Sequence, residues 1–166
     1  MKKIMTGPGS DEAIRLDRMR YTKNVSSSRL CYLAILLDVL FFVSVYKSDV
    51  GSWYYQILIG ASVVYNLLFM LMAFLASEGV KSYKKQYSFL LYGLGAAQIA
   101  RIFILPLQAH AAQVKTGGQM VTVMASGQFI RVILYLVLSG AALIVAALIN
   151  QKKCAALAAH QQQEAQ

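Results

Sequence analysis

The sequence predicts an all-α membrane protein, an antiparallel bundle of four transmembrane helices with both termini in the cytoplasm. Three observations carry that prediction. Of the 166 residues, 58% are hydrophobic and 14% charged, with a mean hydropathy of +0.53. Ordinary globular chains run at about 45–50% apolar and about 25% charged. Four apolar runs, at 30–46, 54–76, 86–108 and 128–149, read as spans of the hydrocarbon slab of roughly 30 Å, the first of them short at 17 residues. The basic residues, finally, are sorted by side. Twelve of the sixteen Lys and Arg lie in the two tails and the middle loop, against two in the other loops, Lys47 and Lys115. Cytoplasmic segments carry that excess, so both tails are placed inside.

The amino-terminal tail, 1–29, is polar and holds seven basic residues against Asp11, Glu12 and Asp17. Ser10 as an N-cap with acids after it allows a short helix over 11–21. Its apolar positions are too few for an amphipathic anchor, so the tail reads as a basic segment lying on anionic headgroups. No small-residue cleavage site follows, which argues against a signal peptide. Asn24-Val25-Ser26 is a formal glycosylation sequon, void in a cytoplasmic tail.

The first span, 30–46, is interrupted by Asp38. A tight turn follows, and Tyr46 with Trp53, Tyr54 and Tyr55 reads as an aromatic belt at that interface. The second span, 54–76, is polar only at Gln56, Ser62, Tyr65 and Asn66. A short basic loop leads to the third span, 86–108, whose only charge is Arg101. On a helical wheel at about 100° per residue, Gly93, Ala96, Ala97, Ala100 and Arg101 share one arc, with Gln98 at its edge. In lipid, a small face predicts close packing on protein. Pro106 and Gly117-Gly118 mark the longest connection, 109–126. The fourth span, 128–149, carries Arg131 in its first turns, and the tail 150–166 extends the helix about two turns before fraying.

The candidate site residues are the polar groups inside the spans: Asp38, Arg101, Arg131, Asn66 and Gln98. Asp38 is the one acid inside a span, and Arg101 the one base near mid-depth. Their backbone levels differ by roughly 8 Å, a gap that a long Arg side chain can nearly close. The favoured reading is a buried ion pair that fixes which helix faces which. A proton or cation site at Asp38 is the competing one. Arg131 either snorkels to the interface, meets an acid of another subunit, or lines an anion path. Asn66 and Gln98 read as hydrogen-bonding glue between helices, and Gly93, Ala97, Ala100, Gly60 and Gly140 as helix-packing positions.

Several chemistries lack the residues they need. The net charge of +9 is explained by membrane flanks, without the basic, aromatic-laced surface that nucleic acid requires. Cys31 and Cys154 set no disulfide framework, and His110 and His160 fall at opposite ends of the bundle, unable to share a metal or haem. Gly93-Leu94-Gly95 lies inside a span and has no third glycine of a dinucleotide loop. No nucleophile has a neighbouring base, so no catalytic residue, cofactor or metal is assigned.

The function expected is therefore non-catalytic. The chain reads as an integral subunit of a bacterial plasma membrane that associates with, stabilises or regulates a larger membrane assembly, a transporter complex in particular. Its expected partners are lipids and other integral subunits, with a homo-oligomer as a further option. The alternative is a small homo-oligomeric carrier or channel with Asp38 and Arg101 in its path.

Overall fold

The computed structural model describes residues 23–46, 53–116 and 119–164. The helix expected over 11–21 and the turn at 47–52 lie outside the described residues, as do the side chains of the aromatic belt. Four helices are long and apolar enough to cross a membrane. They are α1 (Val25–Tyr46), α2 (Trp53–Lys81), α3 (Gln86–Ile104) and, after a short α4 (Pro106–Ala111), the long α5 (Ser126–Glu164). A two-stranded hairpin, β1 (Gln113–Thr116) with β2 (Gln119–Thr122), lies between α4 and α5.

Each boundary has a local cause. At the start of α1 the Ser27 amide donates to Asn24 Oδ1 at 3.4 Å, the bond an N-cap asparagine makes. This starts the helix five residues before the expected edge at 30. At the end of α2 the amides of Tyr83 and Lys84 donate back to Val80 O and Gly79 O, at 3.1 Å each, in a Schellman pattern. Tyr83 takes the left-handed position of that motif, at φ 56°, where glycine is usual. The turn is so tight that the Tyr87 ring lies directly over Gly79, leaving no room for a Cβ there.

The expected third span, 86–108, breaks at Leu105. Pro106 has no N–H to continue the ladder, and it opens α4 as an N1 residue instead. The longest connection, 109–126, forms an antiparallel ladder from Gln113↔Thr122 to Thr116↔Gln119. The two residues left between the strands are Gly117-Gly118, a pair suited to hairpin turns. After the fourth span α5 runs to Glu164, about four turns past Asn150 rather than two, through the alanine-rich stretch Ala155–Ala159.

The helices pack antiparallel. Asn24 N meets Lys81 O (3.0 Å) between α1 and α2, and Ser139 Oγ meets Ala34 O (3.1 Å) between α5 and α1. Asn24 Nδ2 donates to Asn150 Oδ1 at 3.0 Å, so both tails leave from one end of the bundle, the tail end. The hairpin of β1 and β2 marks the other. Helix α5 packs along α1 and α3, whereas α2 packs mainly on α1.

The surface is inverted relative to a water-soluble protein. Leu36, Leu67, Leu68, Leu71, Phe89 and Phe103 are all more than half exposed, at 55%, 60%, 57%, 55%, 65% and 64%. Asn24, Ser27, Asn66, Ser88, Gln98, Ser139 and Asn150 are buried. Apolar exposure on this scale belongs in lipid, and the polar groups turn inward because acyl chains offer them no hydrogen bonds.

One packing expectation is corrected. The stripe of α3 that the bundle buries is Ser88, Leu91, Gly95, Gln98 and Arg101, so of the small arc only Arg101 is fully buried. Gly93, Ala96 and Ala100 are exposed and Ala97 is half-buried; a Cβ built on Gly93 would touch nothing within 4 Å. Gly60 of α2 is equally open. The small residue that lets backbones approach is Gly95, whose added Cβ would lie 3.1 Å from Gly140 O. Gly140 is buried at this crossing, so its close contact lies within the bundle. The physical reason is that Gln98 and Arg101 have stronger grounds to face protein than alanine does, and they set the rotation of the helix.

Candidate functional site

Two apolar clusters fill the bundle. One, towards the tail end, contains Cys31, Ala34, Phe69, Ala73, Leu91 and Leu143; the other, towards the hairpin, contains Phe41, Val45, Val132 and Leu136. A charged centre lies between them. Arg101 Nη1 donates to Asp38 Oδ1 at 3.0 Å, with side-chain exposures of only 6% and 0%. Arg101 Nη2 donates to Ser62 Oγ at 2.7 Å. The guanidinium carbon also sits 4.2 Å from the centre of the Phe41 ring and 4.6 Å from that of Tyr65, where the negative faces of the rings attract a cation.

Gln98 completes the link to the fourth helix. Its Nε2 donates to Asp38 Oδ1 at 3.0 Å and lies 3.4 Å from Ser139 Oγ, which itself donates to Ala34 O. All four spanning helices therefore contribute: Ala34, Asp38 and Phe41 from α1, Ser62 and Tyr65 from α2, Gln98 and Arg101 from α3, Ser139 from α5. The distance between backbone levels is closed by the arginine side chain. Asn66, one turn from Ser62 on α2, is buried as well, but neither of its amide atoms has a hydrogen-bond partner among the described residues.

Arg131 does not join this centre. It stays exposed on α5, with Nε donating to Gly127 O of its own helix at 3.3 Å. It borders a crevice between α1 and α5 lined by Leu40, Val43, Ser44, Gln128 and Tyr135. Beside it Gln128 Nε2 donates to Ser44 O at 2.7 Å and ties the two helices together. His110 stacks on Phe129 with ring centres 4.3 Å apart, its Nδ1 3.1 Å from Met124 O, far along the chain from His160 on the tail of α5.

A second polar layer, at the tail end, was not singled out from the sequence. Asn24 Nδ2 lies 2.9 Å from Ser27 Oγ and 3.0 Å from Asn150 Oδ1. Asn150 Nδ2 donates to Ser88 Oγ at 2.8 Å, and Ser28 and Ser77 share a hydrogen bond of 2.7 Å. Lys153 Nζ reaches Asn24 Oδ1 at 3.0 Å. This layer joins α1, α2, α3 and α5 as the charged centre does. Its one signal in the sequence is an amide or serine at the same end of every span. The sequon asparagine is thus wholly buried, its side chain committed to the fold.

No protein-family model, curated protein or solved structure matches the chain. Among the described residues, no three His, Cys, Asp or Glu side chains come together as a metal-ligand set.

Proposed function

We propose that this protein is a non-catalytic integral membrane subunit that binds and stabilises or regulates a larger membrane assembly. The observation that carries the reading is the outward turn of the small arc of α3. Gly93, Ala96 and Ala100 face away from the bundle's own core. Lipid gives an isolated helix no reason to keep a smooth small face, whereas a partner helix gains close van der Waals approach from one. The charged centre supports the same reading. Its arginine is neutralised by an aspartate of the same chain, so the bundle forms a self-sufficient body that can present its outer faces to a partner.

The test is purification of the tagged full chain from its native membrane. Unrelated integral subunits are expected to co-purify in fixed ratio. Gly93→Ile with Ala100→Ile should remove them while leaving the stability of the bundle within about 0.5 kcal/mol, as for other substitutions away from packed features. Retention of all partners by that double variant would overturn the reading.

A second reading has its own support: a homo-oligomeric carrier or channel with Asp38 and Arg101 in its path. Unpartnered polar atoms cluster beside this pair, and intramembrane ionisable residues often mark solute or ion routes. Solute flux in liposomes that Asp38→Asn abolishes without dispersing the oligomer would favour it over the first.

For orientation we infer a plasma membrane with both tails in the cytoplasm, from the bias of twelve basic residues to two. A membrane-impermeant thiol reagent applied to intact cells should leave cysteines introduced at Lys3 and Gln162 unlabelled and should label one introduced at Lys115. Labelling of the tails instead would reverse the assignment.

A further inference from the structure

Five buried side-chain atoms at mid-depth have no hydrogen-bond partner among the described residues. They are Asp38 Oδ2, Gln98 Oε1, Tyr65 Oη, and both Oδ1 and Nδ2 of Asn66. Three of the four residues are essentially closed off from the surface, Asp38 and Asn66 at 1% exposure and Gln98 at 0%.

The atoms lie at one level of the bundle. Gln98 Nε2 and Arg101 Nη1 converge on Asp38 Oδ1 at 3.0 Å each, so the other carboxylate oxygen and the Gln98 carbonyl lie alongside. The Tyr65 ring sits against the same guanidinium. Helices α1 and α2 are registered by the bond of 2.7 Å between Ser28 and Ser77. Ten residues inward from Ser28 is Asp38, and ten inward from Ser77 is Leu67, the neighbour of Asn66. Asn66 is therefore at the level of the carboxylate.

A buried polar group without a partner is costly, and acyl chains supply none. We propose that Asp38, Gln98, Tyr65 and Asn66 form a water-binding site in the middle of the bundle. About two ordered molecules suffice to serve the five atoms, since a buried water typically makes about three hydrogen bonds.

The donor and acceptor set selects water over other small guests. Asp38 Oδ2, Gln98 Oε1 and Asn66 Oδ1 need donors, Asn66 Nδ2 needs an acceptor, and the tyrosine hydroxyl serves as either. A metal cation cannot accept from the asparagine NH₂. It would also add a positive charge beside a guanidinium that already neutralises Asp38, which is unfavourable at low dielectric. A neutral guest that both donates and accepts meets every requirement. The site does not depend on the subunit reading, because it is built wholly within one chain.

The experiment uses the full chain in phosphatidylcholine nanodiscs. Infrared difference spectra between H₂O and D₂O should show a band of sequestered water O–D stretches that Tyr65→Phe diminishes and Asn66→Leu diminishes further. Each change should raise the unfolded-to-folded ratio in a denaturant titration by about fivefold, the loss of one ordinary hydrogen bond. Tyr65→Phe keeps the ring against Arg101, so it remains readable even if the Asn66 variant does not fold. A parent spectrum without such a band, or a band that Tyr65→Phe leaves untouched, would overturn the proposal. Stabilisation of the parent by Na⁺ or K⁺ in place of choline at constant ionic strength would also overturn it, in favour of a cation site.

Discussion

Asp38→Leu should destabilise the bundle by roughly 3–5 kcal/mol, the range for removing one partner of a buried ion pair. The change takes the full negative charge from beside the Arg101 guanidinium, whose contacts with Ser62 Oγ and the Phe41 and Tyr65 rings do not replace it. It also strips Gln98 of its carboxylate acceptor. Arg101→Met should cost less. A carboxyl group left behind can discharge by taking up a proton, whereas a guanidinium cannot lose one. The double variant Asp38→Leu/Arg101→Met should recover most of the loss, because no uncompensated charge remains. Reversible unfolding of the four proteins in lipid or mild detergent gives the cycle directly. Equal losses for both single variants, with no recovery in the double, would show that the charges are not coupled.

The second large effect is expected at the crossing of α3 and α5. A Cβ on Gly140 would lie 3.1 Å from Gly95 O and 3.1 Å from Ile99 Cγ1, and one on Gly95 would lie 2.9 Å from Ile144 Cγ1. Gly140→Leu must therefore push the two backbones apart or force neighbouring side chains off their rotamers. Overpacking of this kind costs about 1–3 kcal/mol. Separating the helices also lengthens the bond from Gln98 to Ser139, which is already 3.4 Å. Its loss would add to that figure. A Cβ on Gly93 of α3 meets nothing within 4 Å, so Gly93→Leu should be neutral in the isolated chain. The comparison is made in the same unfolding assay. A Gly93 effect as large as that of Gly140 would mean that the rotation of α3 assigned here is wrong.

Arg101 shows how near a wheel diagram comes, and where it fails. The residue sits at the edge of the small arc, so grouping it with Gly93, Ala97 and Ala100 looks natural from composition. Its long side chain swings past that edge to reach Asp38 on α1. The buried stripe is centred on Gln98 and Gly95 instead. A wheel weighted by the cost of exposing each group to lipid, rather than by size, would have put Gln98 at the centre. The tail-end layer was harder to read. Serines and asparagines near helix ends are common in any chain, and only the approach of Asn24 to Asn150, 126 positions apart, turns them into one network.

The sequence by itself determined how many helices are long and apolar enough to cross a membrane and that an acid and a base lie within them. Each apolar run meets the length of the hydrocarbon slab within its own segment, and lipid obliges such a run to satisfy its backbone internally as a helix. The tertiary structure alone decided which face of each rod looks inward. Acyl chains and leucine side chains are nearly equivalent surroundings, so small and apolar residues state little preference between protein and lipid. That choice belongs to a few polar groups, and their partners lie on other helices, at sequence distances no local pattern encodes.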